Sequence, residues 1–380
     1  MFDIVTEDAI LSGRATDAYF DRTVAALEAA DRDPEVVAEV TASQFPSGDC
    51  RLLAGVREAA DLLASVDAAL EVDGLAPGRL FDGGPVMRIR GTYRAFARYE
   101  TSLLGFLSQA SGIATAALES RVAAPEATVL SFGARHVHPS VAAVVERSAL
   151  LAGLDGFSHV AAGDIIGREA GGTMPHALVL CFGPGNQEAA WRAFDAGAPE
   201  DTPRIALVDT FTDETDEARR AAEAIDLDGV RVDTTSSRRG DLRHILRELR
   251  WKLDEAGHGD VELFVSGGLD PATLRELRDV ADGFGVGGYV SNADPVDFAL
   301  DIVEVDGEPT GKRGKLSGTK EVYRLPDGSH EVVPADASVP GGEPLLEPLV
   351  RDGEVVAELG LEEAIERARR ERAAVGFGEA

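Results

Sequence analysis

An incomplete α/β barrel beside an α+β region is the fold this sequence predicts, and two observations carry the prediction. Between about residue 113 and residue 294, short apolar runs alternate with helix-like segments, the rhythm of strands joined by helical crossovers. On either side, the pattern turns to mixed strands, helices and turns, with hairpin signals toward the C-terminus. The strand–helix units number six or seven, short of the eight in a closed barrel, so about seven parallel strands with a gap are expected.

The first segment, DAILSGRATDAYFDRTVAALEAA, starts irregularly and becomes helical around Phe20, Val24 and Leu27. Strand-like runs follow at 36–42 and 86–89, around a helix near 52–66. Residues 94–113 read as one long amphipathic helix, in which Ser111-Gly112 marks a kink or a close-packing point. The candidate barrel strands are 128–132, 156–160, 177–182, 204–208, 229–233, 262–266 and 283–286, and the clearest helices are 216–225 and 242–256. Past Pro295, strands and turns return, with Asp-Gly pairs at 306–307, 327–328 and 352–353 marking hairpins. A charged helix over 361–375 closes the chain. The expected domains are 1–112 as the first part of the α+β region, 113–294 as the barrel, and 295–380 packing back on the first part.

Charge is the most unusual bulk property. The 380 residues carry 37 Lys+Arg against 67 Asp+Glu, a formal net charge of −30 spread along the chain. Such a surface repels nucleic acid and anionic membranes, so neither is expected as a partner. Few lysines and many acids point to folding in high salt, where self-repulsion is screened. No apolar run reaches the ~20 residues of a membrane span, and the acidic MFDIVTEDAI start lacks signal-peptide character, so a cytoplasmic protein is expected. Cys50 and Cys181 match no zinc spacing and suggest no disulfide. Cys181, in the apolar run 177–182, reads as a small core residue.

The polar residues that could do chemistry sit at strand ends. VLSFGARHVHP carries Arg135, His136 and His138, GFSHVAAGD carries His159, and GGTMPHALVLCFG carries Thr173 and His176. His136 and His159 each read first as structural, whereas Gly171-Gly172-Thr173 ahead of His176 leaves bare backbone for a phosphate. Two later strands end in VSGGLD and FGVGGYVSNAD, whose Gly267-Gly268 and Gly285–Gly288 can form nests of N–H groups around phosphate. In VRVDTTSSRRGD, Arg231, Asp233, Arg238 and Arg239 suit ribose hydroxyls and pyrophosphate, or form an exposed loop of surface pairs. Asp209, closing IALVDT, reads equally as a helix N-cap. One concentrated basic run, KRGKLSGTK with Lys312, Arg313, Lys315 and Lys320, calls for an anion or is a solvated loop. Arg88, Arg90, Arg94 and Arg98 form a second group, of which Arg94 and Arg98 also fit a solvated helix face.

SFGARHVHP and GTMPHAL resemble the FG-x-R and GT-x-x-H motifs of nicotinate phosphoribosyltransferase in the type II phosphoribosyltransferase family, and matching elements run in order from TDAYF to KLSGTK. The resemblance implies an open-faced α+β sandwich built from both chain ends beside the incomplete barrel. It implies Phe132 and Tyr19 as the two aromatics that sandwich a pyridine ring, Tyr19 reaching across a homodimer, with Arg135 near the ring and His138 supporting. It implies the FGVG glycines Gly285 and Gly287 as the phosphate loop. At Gly268 some relatives carry an acid, a departure that bears on the Gly267-Gly268 stretch. It implies Arg231 and Asp233 at the ribose, and Asp209 near Mg2+ and the nucleotide phosphates. The K-x-S element, Lys315 and Ser317 with Lys320 beyond it, would reach pyrophosphate from the partner subunit. His176 would be the histidine phosphorylated by ATP. Some archaeal relatives carry a cysteine-rich zinc knuckle, and this chain has no cysteines for one, so no zinc is expected.

The function implied is transfer of phosphoribosyl from phosphoribosyl pyrophosphate to nicotinate, coupled to ATP hydrolysis. A quinolinate or nicotinamide phosphoribosyltransferase is the enzymatic alternative, and quinolinate's second carboxylate calls for a denser basic cluster than this motif offers. A non-catalytic sugar-phosphate-binding barrel would keep the glycine loops and have no need of His176 or of the Tyr19–Phe132 pair.

Overall fold

The computed structural model describes residues 5–42, 50–233 and 240–374. The chain divides into two compact units, Met1–Thr115 with Asp294–Ala380, and Ala116–Ala293.

The second unit is built on six short strands, in the spatial order Gly156–Phe157, Thr128–Ser131, Gly283–Val286, Glu262–Ser266, Gly229–Val232, Ile205–Leu207. Every pairing is parallel. The sheet is therefore an open half-barrel, as its count of strand–helix units predicts. Of its two central strands, Gly283–Val286 is buried throughout and Glu262–Ser266 beyond its first residue, which is why they read as continuous apolar runs rather than alternating ones. The crossover helices start where the sequence supplies caps. Asp213, Asp241 and Asp270 each accept a backbone N–H at the start of helices Glu214–Ala224, Leu242–Glu255 and Pro271–Leu277.

One candidate strand is a helix. Residues 177–182 fall in helix His176–Phe182, so six parallel strands stand where about seven were expected. A short apolar run does not by itself separate strand from helix. Here the flanks decide, with Pro175 at the N-cap and Gly183 (φ 82°) ending the turn. Of the helix residues only Val179 is buried, and Cys181 is exposed rather than part of a core.

The first unit centres on a seven-stranded sheet to which both chain ends contribute. Strand Glu35–Ala42 lies between Pro85–Thr92 and Phe298–Val305, antiparallel to both, and Glu347–Arg351 adds to Glu71–Gly74 farther along. Its core includes Val36, Val40, Leu63, Met87, Ile89 and Phe96. The Asp-Gly pairs turn hairpins as expected. Asp306 and Gly307 (φ 50° and 81°) and Asp352 and Gly353 (φ 52° and 75°) are both left-handed, the conformation of two-residue primed turns. The long helix runs unbroken from Glu100 to Ala123, so Ser111-Gly112 is a packing point and not a kink. The Ser111 hydroxyl accepts from the Ala54 amide at 3.0 Å, and a Cβ on Gly112 would sit 2.2 Å from the Asp294 carbonyl. Among the described residues, Tyr93–Ala123 is the one helical stretch with the length and apolarity of a membrane span, and its most apolar part is mostly buried, as in a core helix.

Candidate active site

A cavity of about 1100 Å³ opens at the C-terminal ends of the parallel strands, lined by residues that follow those strands. Phe132 follows Thr128–Ser131, Asp233 follows Gly229–Val232, and Gly267-Gly268 follows Glu262–Ser266. Gly287-Gly288 follows Gly283–Val286, and the loop Gly171–Pro175 leads into His176. This convergence results from the sheet being parallel, since every strand then delivers its following loop to one edge.

His176 is the hub. It is the first residue of its helix, and its ring Nε2 lies 3.6 Å from Asp209 Oδ1 and 3.7 Å from Asp233 Oδ2. On the other side, Nδ1 is 3.3 Å from the Thr210 hydroxyl. Asp209 is not a helix cap, a role taken by Asp213 four residues on. Its side chain is 2% exposed and accepts the Asp233 amide at 2.7 Å, locking two strand ends together.

Arg231 is buried beneath this group. It pairs with Asp233 at 3.1 Å and donates to the Ser266 hydroxyl and the Met174 carbonyl, each at 2.8 Å. Burial pulls its guanidinium below the ordinary arginine range, against the opposing pull of Asp233 and Asp209. Its charge also faces the Phe132 ring, 6.0 Å from the centroid. Arg231 thus fixes Asp233 and the loop before His176, and Ser266 bridges it to Asp233 by a second hydrogen bond.

The two glycine pairs differ in role. Gly267 and Gly268 have left-handed φ of 94° and 71°, and a Cβ on Gly268 would meet nothing within 4 Å, so Gly268 faces open space. At Gly285 the same test puts a Cβ 2.3 Å from the Phe132 ring, and at Gly287 it puts one 3.1 Å from His136. Those glycines admit side chains as well as a ligand.

Of the residues singled out in the sequence, the cavity collects Phe132, Arg135, Thr173, His176, Arg231, Asp233, Gly267, Gly268, Gly285 and Gly287, with Asp209 behind His176. His138 is not in the lining. Its Nδ1 accepts the Ser140 amide at 3.2 Å and so caps the turn Pro139–Val141. His136 and His159, which read first as structural, do line the cavity, and His159 also caps helix Val160–Ile166 through the Ala162 amide. Arg238 and Arg239 lie outside the described residues. The sequence reasoning missed Thr210, Ser266 and the Met174 carbonyl, and only Ser266, at a strand end before a glycine pair, left a signal.

Tyr19, Lys315, Ser317 and Lys320 belong to the first unit. Tyr19 is 55% exposed on helix Ala18–Ala29. The basic loop is set on acids: Lys312 and Lys315 both pair with Asp301, which is largely buried. Lys320 pairs with the fully buried Glu39 at 2.9 Å, and the Thr319 amide donates to Glu304 at 3.1 Å. Lys320 is therefore committed to holding the loop, with its ammonium also on the Leu316 and Gly318 carbonyls.

The chain matches the N-terminal domain of quinolinate phosphoribosyl transferase over residues 17–111 and its C-terminal domain over residues 113–301. It is 31% identical over 346 residues, 84% of this chain and 75% of the relative, to a nicotinate phosphoribosyltransferase of Mycobacterium tuberculosis. It belongs to the type II phosphoribosyltransferase family. A Bacillus subtilis nicotinate phosphoribosyltransferase is 28% identical over 270 residues, 65% of this chain and 53% of that protein. The crystal structure of a nicotinate-nucleotide pyrophosphorylase from Pyrococcus furiosus superposes with a TM-score of 0.94 at 46% identity, covering 99% of this chain and 98% of that one. Human nicotinic acid phosphoribosyltransferase shares the fold, with a TM-score of 0.77 at 21% identity over 95% of this chain and 94% of that one. The protein is thus a phosphoribosyltransferase of the nicotinate and quinolinate type, an enzyme of NAD biosynthesis. Phosphoribosyl pyrophosphate is the substrate the family implies.

Two carboxylates, Asp209 and Asp233, converge on Nε2 of the His176 ring. Among the described residues no group of three or more potential ligands stands ready for a metal. That donor set fits Mg2+, which is commonly held by one or two carboxylates and completed by water and substrate phosphates.

Proposed function

We propose that the enzyme transfers the phosphoribosyl group of phosphoribosyl pyrophosphate to nicotinate, giving nicotinate mononucleotide and pyrophosphate, with ATP hydrolysis coupled through His176. The observation that carries the reading is His176 with Asp209 and Asp233 both facing its Nε2, in a cavity edged by glycine turns. In the transfer step, the bond from ribose C1 to the pyrophosphate oxygen breaks and its electron pair leaves with pyrophosphate. The pyridine nitrogen lone pair forms the new bond at C1, and no proton has to move. Catalysis then rests on placement and on charge facing the departing group. Gly267-Gly268 and the Gly287 turn cradle the 5′-phosphate, and Asp233, fixed by Arg231, accepts from the ribose hydroxyls. Phe132 walls the pyridine ring and Arg135 meets its carboxylate. Asp209 and Asp233 would hold Mg2+, whose charge stabilises the leaving pyrophosphate.

Two carboxylates at Nε2 keep the ring proton on that nitrogen and leave the His176 lone pair on Nδ1. In the coupling step the Thr210 hydroxyl turns away from Nδ1, and the freed lone pair attacks the γ-phosphorus of ATP. The N–P bond forms as the bond from that phosphorus to the bridging oxygen breaks, and ADP leaves with the electron pair; water later takes the phosphoryl group as inorganic phosphate. Tyr19 and the Lys315–Ser317 element complete the site from the second subunit of a homodimer.

The choice of nicotinate over quinolinate rests on the lining cations. Among the described residues the lining holds two arginines, Arg135 and Arg231, and Arg231 is already engaged by Asp233, Ser266 and Met174, so those two do not form the dense pair that two ligand carboxylates call for. The test is pyrophosphate release from nicotinate, quinolinate and nicotinamide, each with and without ATP. Nicotinate turnover stimulated by ATP is expected. Turnover of quinolinate in preference to nicotinate would overturn the assignment of the base, and nicotinate turnover indifferent to ATP would overturn the coupling.

A further inference from the structure

Glu217 plays no part in the chemistry above, yet it is fully buried in the wall behind His176. It sits in the first turn of helix Glu214–Ala224 and turns its carboxylate back onto the loop that precedes the helix. Oε2 accepts the Thr210 amide at 3.1 Å. Oε1 accepts the Phe211 amide at 2.9 Å, the Thr212 amide at 2.8 Å and the Thr212 hydroxyl at 3.3 Å. Three successive backbone N–H groups thus converge on one anion, the geometry a loop otherwise offers to a phosphate. Here the anion comes from the chain itself, and the loop is filled before any ligand arrives. A buried side chain on a neighbouring helix seals it, as Gln187 donates to Glu217 at 3.3 Å.

The loop so held starts at Asp209 and Thr210, the residues on the two sides of the His176 ring. A half-buried loop left with three unanswered amides would rearrange to satisfy them, and Thr210 would move with it. We infer that Glu217 and Thr210 are a pair of positioning residues: Glu217 fixes the 210–212 loop, and the Thr210 hydroxyl, donating to Nδ1, fixes the tautomer and rotation of the His176 ring. The inference deepens the proposed coupling role of His176 and rests on it for its kinetic consequence. The ring's orientation is a property of the resting protein and does not depend on that role.

Two measurements on the full-length protein test the pair. In the first, 15N spectra of the histidine rings, with His176 assigned by comparison with His176→Ala, are recorded without substrate. Wild type is expected to show one tautomer, protonated at Nε2, and Thr210→Val a mixture, with Thr210→Ser restoring the single form. The second is ATP-coupled synthesis from nicotinate, phosphoribosyl pyrophosphate and ATP. Thr210→Val should lower kcat by about tenfold to a hundredfold, the loss expected from a misplaced reacting group, with KM for nicotinate little changed. Glu217→Gln should reproduce that split, and the double variant should be no slower than the slower single, because both act through one contact. Thr210 lies on a part-exposed loop, so its variants stand alone if Glu217→Gln does not fold. Unchanged ring spectra in Thr210→Val, or losses that multiply in the double variant, would overturn the inference. His176→Ala with full ATP coupling would instead overturn the functional reading, and the spectra would still decide the pair.

Discussion

The Phe132 ring lies directly over the backbone of Gly285, so that a Cβ at position 285 would fall 2.3 Å from two of its carbons. The glycine therefore sets where the aromatic wall of the cavity stands. Gly285→Ala should push the ring into the space meant for the base. The KM for nicotinate should rise by about tenfold or more, with overpacking of the wall costing about 1–3 kcal/mol of stability. Steady-state kinetics and thermal melting of the variant check this, and a KM equal to wild type would mean that the ring can tilt away at no loss.

His176→Ala should abolish ATP hydrolysis and ATP stimulation while leaving weak ATP-independent synthesis. Paired assays of ADP and pyrophosphate release, with a search for acid-labile phosphate on the wild-type chain, decide it. ATP hydrolysis by His176→Ala at the wild-type rate would reduce His176 to a ligand or structural residue.

Much of this site was legible because parallel strands bring their ends together, and strand ends can be found from apolar runs. Phe132, Asp233 and the glycine pairs were placed in that way. Helix His176–Phe182 was misread because its apolar residues face outward, leaving no periodic signal of burial. Glu217 and Thr210 were not legible at all: a carboxylate folding back from a helix onto its own entry loop looks, in sequence, like an ordinary acidic first turn. His138 and His136 could not be told apart without the 3₁₀ turn Ala134–His136, which lets His136 face the cavity while His138 caps the next turn.

Glu146, buried just behind the cavity lining, offers a stability test. Its carboxyl is fully buried, without a hydrogen bond of normal geometry, and burial pushes its pKa up to about 7 despite the nearby Ser131 hydroxyl and Ser158 amide. A carboxyl raised in the folded state is neutral there below that value but ionised in the unfolded chain above its usual 4.5, so folding loses stability as pH climbs from about 4.5 to 7. Glu146→Gln should remove that slope and gain on the order of 3 kcal/mol at pH 8. Denaturant unfolding at pH 5 and pH 8 measures it. Equal pH slopes in the two proteins would refute the account.

The net charge of −30 predicts that the protein is folded and active in molar KCl and loses structure as salt is withdrawn. Circular dichroism and activity across a salt titration check it, and full activity in dilute buffer would remove the argument from charge.

Mixing two inactive chains tests the shared site. Tyr19→Ala and Phe132→Ala proteins, refolded together, should regain activity from heterodimers that carry one intact cavity. Heterodimers that form and stay inactive would place both residues in one subunit's site or put Tyr19 outside it.

The sheet that joins both chain ends sets an order of events on the ribosome. Strand Glu35–Ala42 pairs with Pro85–Thr92 soon after emerging, but its other neighbour, Phe298–Val305, is made more than 250 residues later. At ordinary elongation rates of about 5–20 residues per second, that edge stays open for roughly a quarter of a minute to a minute, while the whole half-barrel is synthesised. An unpaired apolar strand held open for so long is an invitation to neighbouring nascent chains on the same polysome. Glu39, in the middle of that strand, points a carboxylate where a foreign strand would have to bury it. Arg88, on the strand that pairs early, answers part of that charge at 3.6 Å, and Lys320, arriving near the end of translation, answers the rest at 2.9 Å.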